Sequence, residues 1–443
     1  MRILFVHQNS PGQYKHLLQH LAASRTHELV FLTQRPNTPI AGVRYVPYRP
    51  SRKLSDATHP YLHNMEAAVL NAQAVWRAAV KLKAEGFRPD LMIGHNGWGE
   101  TLFLKDVFPE APLLSYFEFF YRPIGSDLNF DAEYPDTVDT RLRTHILNTV
   151  NLLGLQCADW GQTPTRWQRD QYPARFHDML SLSHEGIDTD HVKPDAEAWV
   201  KLKAKGARFR AGDEVITYVA RNLEPYRGVH VFLRTLPEIL RRRPKAQVLI
   251  VGGDEVSYGR PLPSGQTYRQ KLLGELGNKL DMSRVHFLGR IPYELYLKVL
   301  QVSAVHVYLT YPFVLSWSML EAMSAGCLVL GSRTAPVREV IRHGENGLLV
   351  DFSSSSEIAD AIDAVLEHPD RMQALRAAAR VSIVAGYDLK NICLPRQLQI
   401  IEDLVAGKRP PLIIPEARAP MPTQTRKRGT KTSQPGAPRK RER

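Results

Sequence analysis

The sequence has little of what secreted, disulfide-bonded or membrane-spanning proteins share. Its 443 residues include three cysteines, Cys157, Cys327 and Cys393, which lie far apart and show no metal-like pairing. Such usage argues against a disulfide framework and fits a reduced cytoplasm. No apolar run approaches the roughly 18 residues that span a membrane, and the opening MRILFVHQNSPGQ holds too short an apolar run for a secretory signal. We therefore expect a cytoplasmic protein.

Positive charge is concentrated at one end of the chain. The formal net charge is +13, and residues 408–443 carry nine of these charges, with eleven Lys and Arg against two Asp and Glu. Because this stretch is also rich in Pro, Ser and Thr, we expect residues 407–443 to form a disordered basic tail. Such a tail attracts anionic lipid at the inner face of the plasma membrane, or nucleic acid. A solubilising tail is the equal alternative, and we expect no specific nucleic-acid recognition.

Apolar strands alternate with amphipathic helices twice along the chain, which is typical of parallel sheets in the α/β class. The first series of predicted strands comprises Arg2–Val6, Glu28–Leu32, Leu91–Ile93, Pro112–Tyr116 and Met179–Leu182. The second series comprises Val215–Ala220, Gln247–Val251, Val285–Leu288, Val305–Leu309, Cys327–Leu330 and Gly347–Asp351. Two doubly wound sheets place a ligand crevice at the carboxyl ends of their strands.

A polar stretch at Asp195–Gly212 separates the two series. We therefore predict an amino-terminal Rossmann-like domain over residues 1–190. We predict a second Rossmann-like domain over residues 191–406, whose last helix is a candidate to pack back on the first domain. The two domains face each other across a cleft.

The most informative stretch runs from Tyr311 to Val350, where a predicted strand is followed by a loop and a helix that starts near Ser316. Free backbone N–H groups at Ser316, Trp317 and Ser318 would face the crevice and could bind a diphosphate. Glu321 lies about one turn further along, where a carboxylate can accept hydrogen bonds from ribose hydroxyls. A lone glutamate on a helix is more often simply solvated, but the small apolar neighbours in EAMSAG favour a carboxylate with a designated partner.

This stretch resembles the carboxy-terminal domain of family 4 glycosyltransferases, which have the GT-B fold and retain anomeric configuration. The family pattern is a glutamate, seven residues and a second glutamate followed by A-M-(A/S)-x-G. Glu321 matches the second glutamate and is followed by AMSAG, whereas Phe313 stands at the position of the first. Because the family's first glutamate is associated with donor-sugar hydroxyls, the resemblance implies a variant donor site with Phe313 beside the sugar.

A second similarity lies in ARNLEPYRG, residues 220–228, which resembles the family's G-R-x-x-x-x-K-G element. Arg221 fits the arginine, and Arg227 stands where lysine is usual. A nucleoside diphosphate leaving group gains negative charge as the glycosidic bond breaks, so cations are needed here. Arginine can supply that charge bidentately. The alternative is that both arginines are surface residues that flank a turn and bind no ligand.

In the amino-terminal half, His95 follows the strand Leu91–Ile93 and resembles the family histidine that lies near the reacting sugar. A structural histidine is the alternative, although the neighbouring glycines indicate close backbone approach. Gly12 occupies the position of the family's loop beneath the donor phosphates and the acceptor. Glu100 and Glu118 are weaker candidates for the crevice, because neither has a visible partner in the sequence.

These similarities imply a retaining glycosyltransferase that acts in glycan or surface-polysaccharide synthesis. The expected partners are a nucleotide-sugar donor and a glycan, lipid-linked or other acceptor. The resemblance implies that residues 1–190 form the acceptor side and that residues 191–406 bind the nucleotide sugar. No metal ion or cofactor is expected; His59 and His63 stand four residues apart, but Pro60 lies between them and no acidic third ligand is evident. A nucleotide-sugar epimerase or a phosphorylase on the same fold, and a non-catalytic GT-B binding or scaffold module, are the alternatives. The sequence leaves open the donor base, the sugar and the acceptor.

Overall fold

Two parallel sheets organise the computed structural model, which describes residues 1–202, 206–263 and 265–412. The first sheet has seven strands: β1 Arg2–Val6, β2 Glu28–Thr33, β3 Val43–Pro47, β4 Leu91–His95, β5 Leu113–Tyr116, β6 Trp160–Thr163 and β7 Leu180–Leu182. Their order is β3-β2-β1-β4-β5-β6-β7, and every neighbouring pair is parallel. This is the doubly wound order, with a reversal beside β1 that opens a crevice at the carboxyl ends of the strands.

The second sheet repeats this arrangement with six strands: β8 Val215–Asn222, β9 Gln247–Gly253, β10 Val285–Gly289, β11 Val305–Tyr308, β12 Val329–Ser332 and β13 Leu348–Val350. Their order is β10-β9-β8-β11-β12-β13, again with all neighbours parallel. Central strands such as β8 are buried on both faces, as sheets covered by helices on each side require. The predicted pair of doubly wound α/β sheets is confirmed.

Fourteen α-helices are found in the described part of the chain and cover the faces of the sheets. They are α1 Lys15–Ala23, α2 His63–Ala84, α3 Leu104–Val107, α4 Val138–Leu147, α5 Thr149–Cys157, α6 Arg166–Gln171, α7 Val229–Arg242, α8 Tyr268–Leu276, α9 Tyr293–Gln301, α10 Trp317–Ser324, α11 Ala335–Arg338, α12 Ser355–Glu367, α13 Gln373–Tyr387 and α14 Leu394–Val405. None of these helices has both the length and the apolar character that a membrane crossing requires.

Two segments cross between the halves of the molecule. Helix α14 ends the described chain, yet its Ile400, Ile401 and Leu404 are buried in the core of the first sheet. In the opposite direction, residues 121–137 leave the amino-terminal half and lie on the carboxy-terminal half, where Phe130 packs against Phe352. We call residues 121–137 the crossing segment.

The structure corrects the predicted elements at three places. Strands β3 and β6 were missed, and the polar stretch Asp195–Gly212 that separates the two predicted series contains a short antiparallel pair, Trp199–Lys201 with Arg208–Arg210. The remaining strand predictions agree within one or two residues at each end. The prediction for the basic tail concerns residues 407–443, of which 413–443 lie outside the described residues.

Candidate active site in the interdomain cleft

Two adjoining cavities lie between the sheets, at the carboxyl ends of their strands. The Glu321 cavity, of about 760 Å³, is lined by Glu321, Tyr293 and Arg290 among others. The His95 cavity, of about 630 Å³, draws its walls from both halves of the chain. Arg221 and Trp317 line both cavities and mark the place where they meet.

Arg227 is a buried cation in the wall of the His95 cavity. Its guanidinium donates hydrogen bonds to Tyr308 Oη at 3.1 Å and to Thr310 Oγ1 at 2.8 Å, and the residue is 7% exposed. Among the described residues no carboxylate forms an ion pair with it. A buried charge without a counter-ion is costly, so this site is prepared for an anion. Arg221, which is exposed, adds a second cation at the junction of the cavities.

The amino terminus of α10 faces the same junction. Ser316 caps the helix, since its side chain accepts from the backbone N–H of Ser318. The backbone N–H of Ser316 is itself held by Tyr308 Oη at 2.8 Å. The predicted helix start near Ser316 is therefore confirmed, and the positive end of the helix dipole lies in the wall of the His95 cavity that Arg221 and Arg227 also line.

Trp317 connects this helix start to the amino-terminal half. Its Nε1 donates to Glu185 Oε2 at 2.9 Å, and Glu185 also accepts from Tyr116 Oη. Glu185 is 3% exposed, so this carboxylate is enclosed by the two donors. This hydrogen bond thus connects the two halves of the chain at the base of the cleft.

Glu321 lies in its own cavity with two tyrosines as partners. Tyr293 Oη donates to Oε1 at 2.7 Å and Tyr296 Oη donates to Oε2 at 2.6 Å. Burial raises the pKa of Glu321 above its ordinary value, and the two hydrogen bonds act against that rise. The partners of the carboxylate in this structure are thus two tyrosine hydroxyls, and a ribose hydroxyl could donate to it in place of either one.

Phe313 stands in the wall of the His95 cavity within an aromatic cluster. It is 5% exposed, and its ring centroid lies 4.6 Å from that of Phe119, 5.0 Å from that of Tyr258 and 5.4 Å from that of Tyr226. A carboxylate at this position would lie against these three aromatic rings. Several aromatic residues therefore form this wall, and the sequence analysis identified only Phe313 among them.

Gly12 shapes the floor of the His95 cavity in the loop after β1. Its φ of 53° is left-handed, and a Cβ there would come within 2.7 Å of His7 Nε2. Only glycine fits on both counts. Nε2–H of the His7 ring that it approaches donates to Gln13 Oε1 at 2.8 Å, since Nδ1 accepts from the backbone N–H of Asn9. Burial, with the nearby His95, lowers the pKa of His7 to about 3.

His95 faces Glu118 across the His95 cavity. The ring lies between Trp98 and Tyr116, and its Nδ1 accepts from the backbone N–H of Gly97 at 3.0 Å, so that Nε2 carries the proton. Nε2 is buried without a hydrogen-bond partner and lies 3.7 Å from Glu118 Oε2. A substrate hydroxyl between them could accept from Nε2–H and donate to the carboxylate.

Glu118 is the residue that the sequence interpretation underrated. Burial alone would raise its pKa, but His95, whose Nε2 lies 3.7 Å away, together with His7 and Arg221 holds the pKa below its ordinary value. Gln13 Nε2 also donates to its Oε1 at 3.3 Å. Glu100, the other candidate, lines neither cavity; it is buried and accepts from Tyr48 Oη at 2.9 Å.

The described residues contain no group of three or more His, Cys, Asp or Glu side chains that could hold a metal ion. His59 is instead the cap of a short 3-10 helix, where its Nδ1 accepts from the backbone N–H of Tyr61. His63 Nε2 lies 2.9 Å from the backbone oxygen of Thr58. Neither histidine has the other as a partner.

Comparison with known proteins agrees with this architecture. A model described as the glycosyl transferase family 4 group matches residues 25–192, and a model described as glycosyl transferases group 1 matches residues 201–382. The solved structure of sucrose-phosphate synthase from Thermosynechococcus elongatus superposes with a TM-score of 0.69 at 18% identity, over 92% of this chain and 100% of that one. The fold is therefore GT-B. The chain therefore carries a glycosyl transferase family 4 group domain over residues 25–192 and a glycosyl transferases group 1 domain over residues 201–382.

Curated relatives match over a shorter range. A GDP-mannose-dependent α-(1-6)-phosphatidylinositol monomannoside mannosyltransferase of Mycobacterium tuberculosis is 28% identical over 237 residues, which is 50% of this chain and 56% of that protein. A D-inositol 3-phosphate glycosyltransferase of Nocardia farcinica is 29% identical over 211 residues, 46% of this chain and 44% of that protein. The matched region thus spans about half the length of these relatives.

Proposed function

We propose that this protein transfers a sugar from a nucleotide-sugar donor to an acceptor with retention of anomeric configuration. The observation that carries the proposal is the buried Arg227, which has no carboxylate partner among the described residues and lines the His95 cavity together with Arg221 and the start of α10. A diphosphate at the junction of the two cavities would place its nucleoside toward Glu321 and its sugar toward His95. The two arginines supply the positive charge that the leaving group needs, and we propose that no divalent cation takes part.

The reaction follows from this placement. The bond from the anomeric carbon to the diphosphate oxygen breaks as Arg221 and Arg227 stabilise the charge that develops on the diphosphate. The acceptor oxygen forms its bond to the anomeric carbon on the same face, and its proton passes to the departing phosphate oxygen. His95 and Glu118 would hold a hydroxyl between them and so orient the sugar or the acceptor. Product anomers of inverted configuration would rule this mechanism out.

We further propose a role in glycan or surface-polysaccharide synthesis, with a glycan or lipid-linked acceptor. The relatives named above act on phosphatidylinositol mannoside or inositol phosphate, and one uses GDP-mannose, which supports a hexose as the transferred sugar. The basic tail, which we propose to contact anionic lipid at the cytoplasmic face of the membrane, would bring the enzyme to a lipid-linked acceptor.

The donor site is tested by thermal unfolding with GDP, UDP, ADP and their common sugar nucleotides. A ligand present at about 100 times its Kd adds roughly 2.7 kcal/mol to the free energy of unfolding. One nucleotide should stabilise the wild type and not Glu321→Ala, because the variant lacks the carboxylate that holds the ribose. The control is Glu402→Ala on α14, an exposed glutamate that lines neither cavity. If no nucleotide stabilises the wild type, the transferase proposal fails.

A further inference from the structure

A third cavity opens beside the His95 cavity, and tyrosines dominate its wall. This tyrosine cavity, of about 530 Å³, is lined by Tyr121, Tyr134, Tyr226, Tyr258, Tyr268 and Tyr311. Asn64, Tyr121, Leu147 and Tyr258 line both cavities, so the two spaces adjoin. We infer that the tyrosine cavity binds the next sugar unit of the acceptor, which makes the acceptor an oligosaccharide or a glycan-bearing molecule. The inference rests on the proposed function.

Aromatic faces suit a saccharide because the C–H faces of a pyranose ring are apolar while its rim is hydroxylated. Tyrosine offers both a flat apolar body and a polar end. Several of these rings are fixed by their own hydroxyls: Tyr226 Oη donates to Asp127 at 2.7 Å, and Tyr311 Oη donates to Asp131 at 2.7 Å. Their faces are thus set before any ligand arrives, which lowers the entropic cost of binding.

The charges of the tyrosine cavity favour a neutral ligand over a second nucleotide or phosphate. Three carboxylates and two arginines line it: Asp127, Glu133, Asp136, Arg143 and Arg260. Glu133 is paired with Arg234, and Asp136 lies 3.5 Å from Arg260. In contrast to the Arg227 site, the described lining of the tyrosine cavity contains no buried arginine, since Arg143 and Arg260 are both exposed. Carboxylates and arginines arranged in this way can exchange hydrogen bonds with sugar hydroxyls.

The position of the cavity identifies which substrate extends into it. Tyr258 lies at the boundary, with the Arg227 guanidinium 5.4 Å from its ring centroid, so the tyrosine cavity begins beside the site proposed for the diphosphate and the transferred sugar. The donor's nucleoside is assigned to the Glu321 cavity on the other side. A donor contributes one sugar, so further sugar units can belong only to the acceptor. The volume lies in the range of about 300–1,000 Å³ that is usual for small-molecule sites.

The test measures how affinity depends on saccharide length. Methyl α-glycosides of one, two and three hexose units, in a mannose and a glucose series, are titrated by saturation-transfer NMR with the full-length protein. We expect the second unit to tighten the apparent Kd about tenfold in one series, which corresponds to about 1.4 kcal/mol. Tyr134→Ala should remove this gain, because Tyr134 lines only the tyrosine cavity of the two. Tyr134→Phe, which keeps the aromatic face, should retain it.

A second variant protects the test against misfolding. Arg143→Ala changes an exposed residue at the rim, whose guanidinium donates to Asn64 Oδ1 at 2.7 Å, and should also reduce the gain. Equal affinity for one and for three units in both series, or a gain that survives both alanine variants, would overturn the inference. Nucleotide stabilisation of the wild type is measured in parallel. If it persists while the length dependence is absent, the subsite fails and the transferase proposal stands; if it is absent, the transferase proposal fails as well.

Discussion

The carboxylate of Asp131 lies 2.8 Å from Nε2 of His230, and this contact joins the two halves of the molecule. Asp131 belongs to the crossing segment, residues 121–137, whereas His230 is on α7 of the carboxy-terminal half. His230 is 1% exposed, and Tyr311 Oη donates to the same carboxylate oxygen. Tyr311 begins the loop that carries Phe313, so the crossing segment holds the wall of the His95 cavity in place.

We predict that Asp131→Ala lowers stability by about 1–3 kcal/mol, because it leaves a buried imidazole and a buried hydroxyl without their acceptor. Urea unfolding measures the effect. Asp190→Ala is the matched control, since Asp190 forms an exposed ion pair with Lys390 and such pairs contribute at most about 1 kcal/mol. Equal losses in the two variants would contradict an interdomain role for Asp131.

Most of the fold could be predicted from the sequence, because most strands of the two doubly wound sheets are contiguous apolar runs. The missed strands lack such runs. Strand β6, WGQT, contains a glycine and a glutamine, and Gln162 is buried only because its Nε2 donates to the backbone oxygen of Ser183. Strand β3, VRYVP, is an edge strand that is half-buried and ends in proline. Both strands depend on neighbours that are distant in sequence.

Candidate site residues could be named from the sequence where they lie in one contiguous motif. Contacts between residues that are distant in sequence could not be foreseen. Arg221, Arg227 and the Ser316 helix start lie within short segments, and the structure brings them to one junction. Glu118 meets Gln13, which is 105 positions away, and Glu185 meets Trp317, which is 132 positions away. A single sequence holds no local sign of such pairs, so Glu118 was only a weaker candidate and Glu185 was not singled out.

Stability should fall as the solution becomes acidic, in part because His306 is buried in neutral form. Burial lowers its pKa to about 3, whereas the unfolded chain has the ordinary value of about 6.5. Between these values the unfolded state binds a proton that the folded state does not, so stability declines as pH falls below about 6.5.

For His306 this decline amounts to about 2 kcal/mol at pH 5. His306→Asn should therefore lose less stability between pH 7 and pH 5 than the wild type, whatever its stability at pH 7. Urea unfolding at both pH values measures the difference, and His20→Asn, at an exposed site on α1, serves as the control. An unchanged pH slope in His306→Asn would refute the assignment.

Arg227→Met should separate ligand binding from stability. The guanidinium is buried without a carboxylate partner in the described structure, so an apolar side chain of similar length removes an uncompensated charge. We expect the free energy of unfolding without ligand to change by less than about 1 kcal/mol, because the loss of two hydrogen bonds offsets the gain. Nucleoside diphosphate binding should weaken at least tenfold, as measured by thermal unfolding.

Arg338→Met, on an exposed part of α11, is the control and should leave nucleoside diphosphate binding unchanged. A similar loss of binding in this variant would contradict the role of Arg227.

Phe313→Glu would bring the family's usual residue into this chain, and we predict that it destabilises the protein. The position is enclosed by the rings of Phe119, Tyr226 and Tyr258. The variant loses the packing of a buried phenylalanine, a cost of about 3–5 kcal/mol. It also introduces a carboxyl group whose ionised form is poorly solvated there.

The pH dependence of Phe313→Glu distinguishes these two costs. Burial raises the pKa of a carboxyl group in the folded state, so the folded variant keeps a proton that the unfolded chain releases above about pH 4.3. Its stability deficit relative to Phe313→Leu, which has no charge to lose, should therefore grow from pH 5 to pH 8. Urea unfolding of both variants at the two pH values gives the comparison. A deficit that does not change with pH would mean that the new carboxylate reaches water, and that the aromatic wall is open enough to accept the glutamate that the family 4 pattern has at this position.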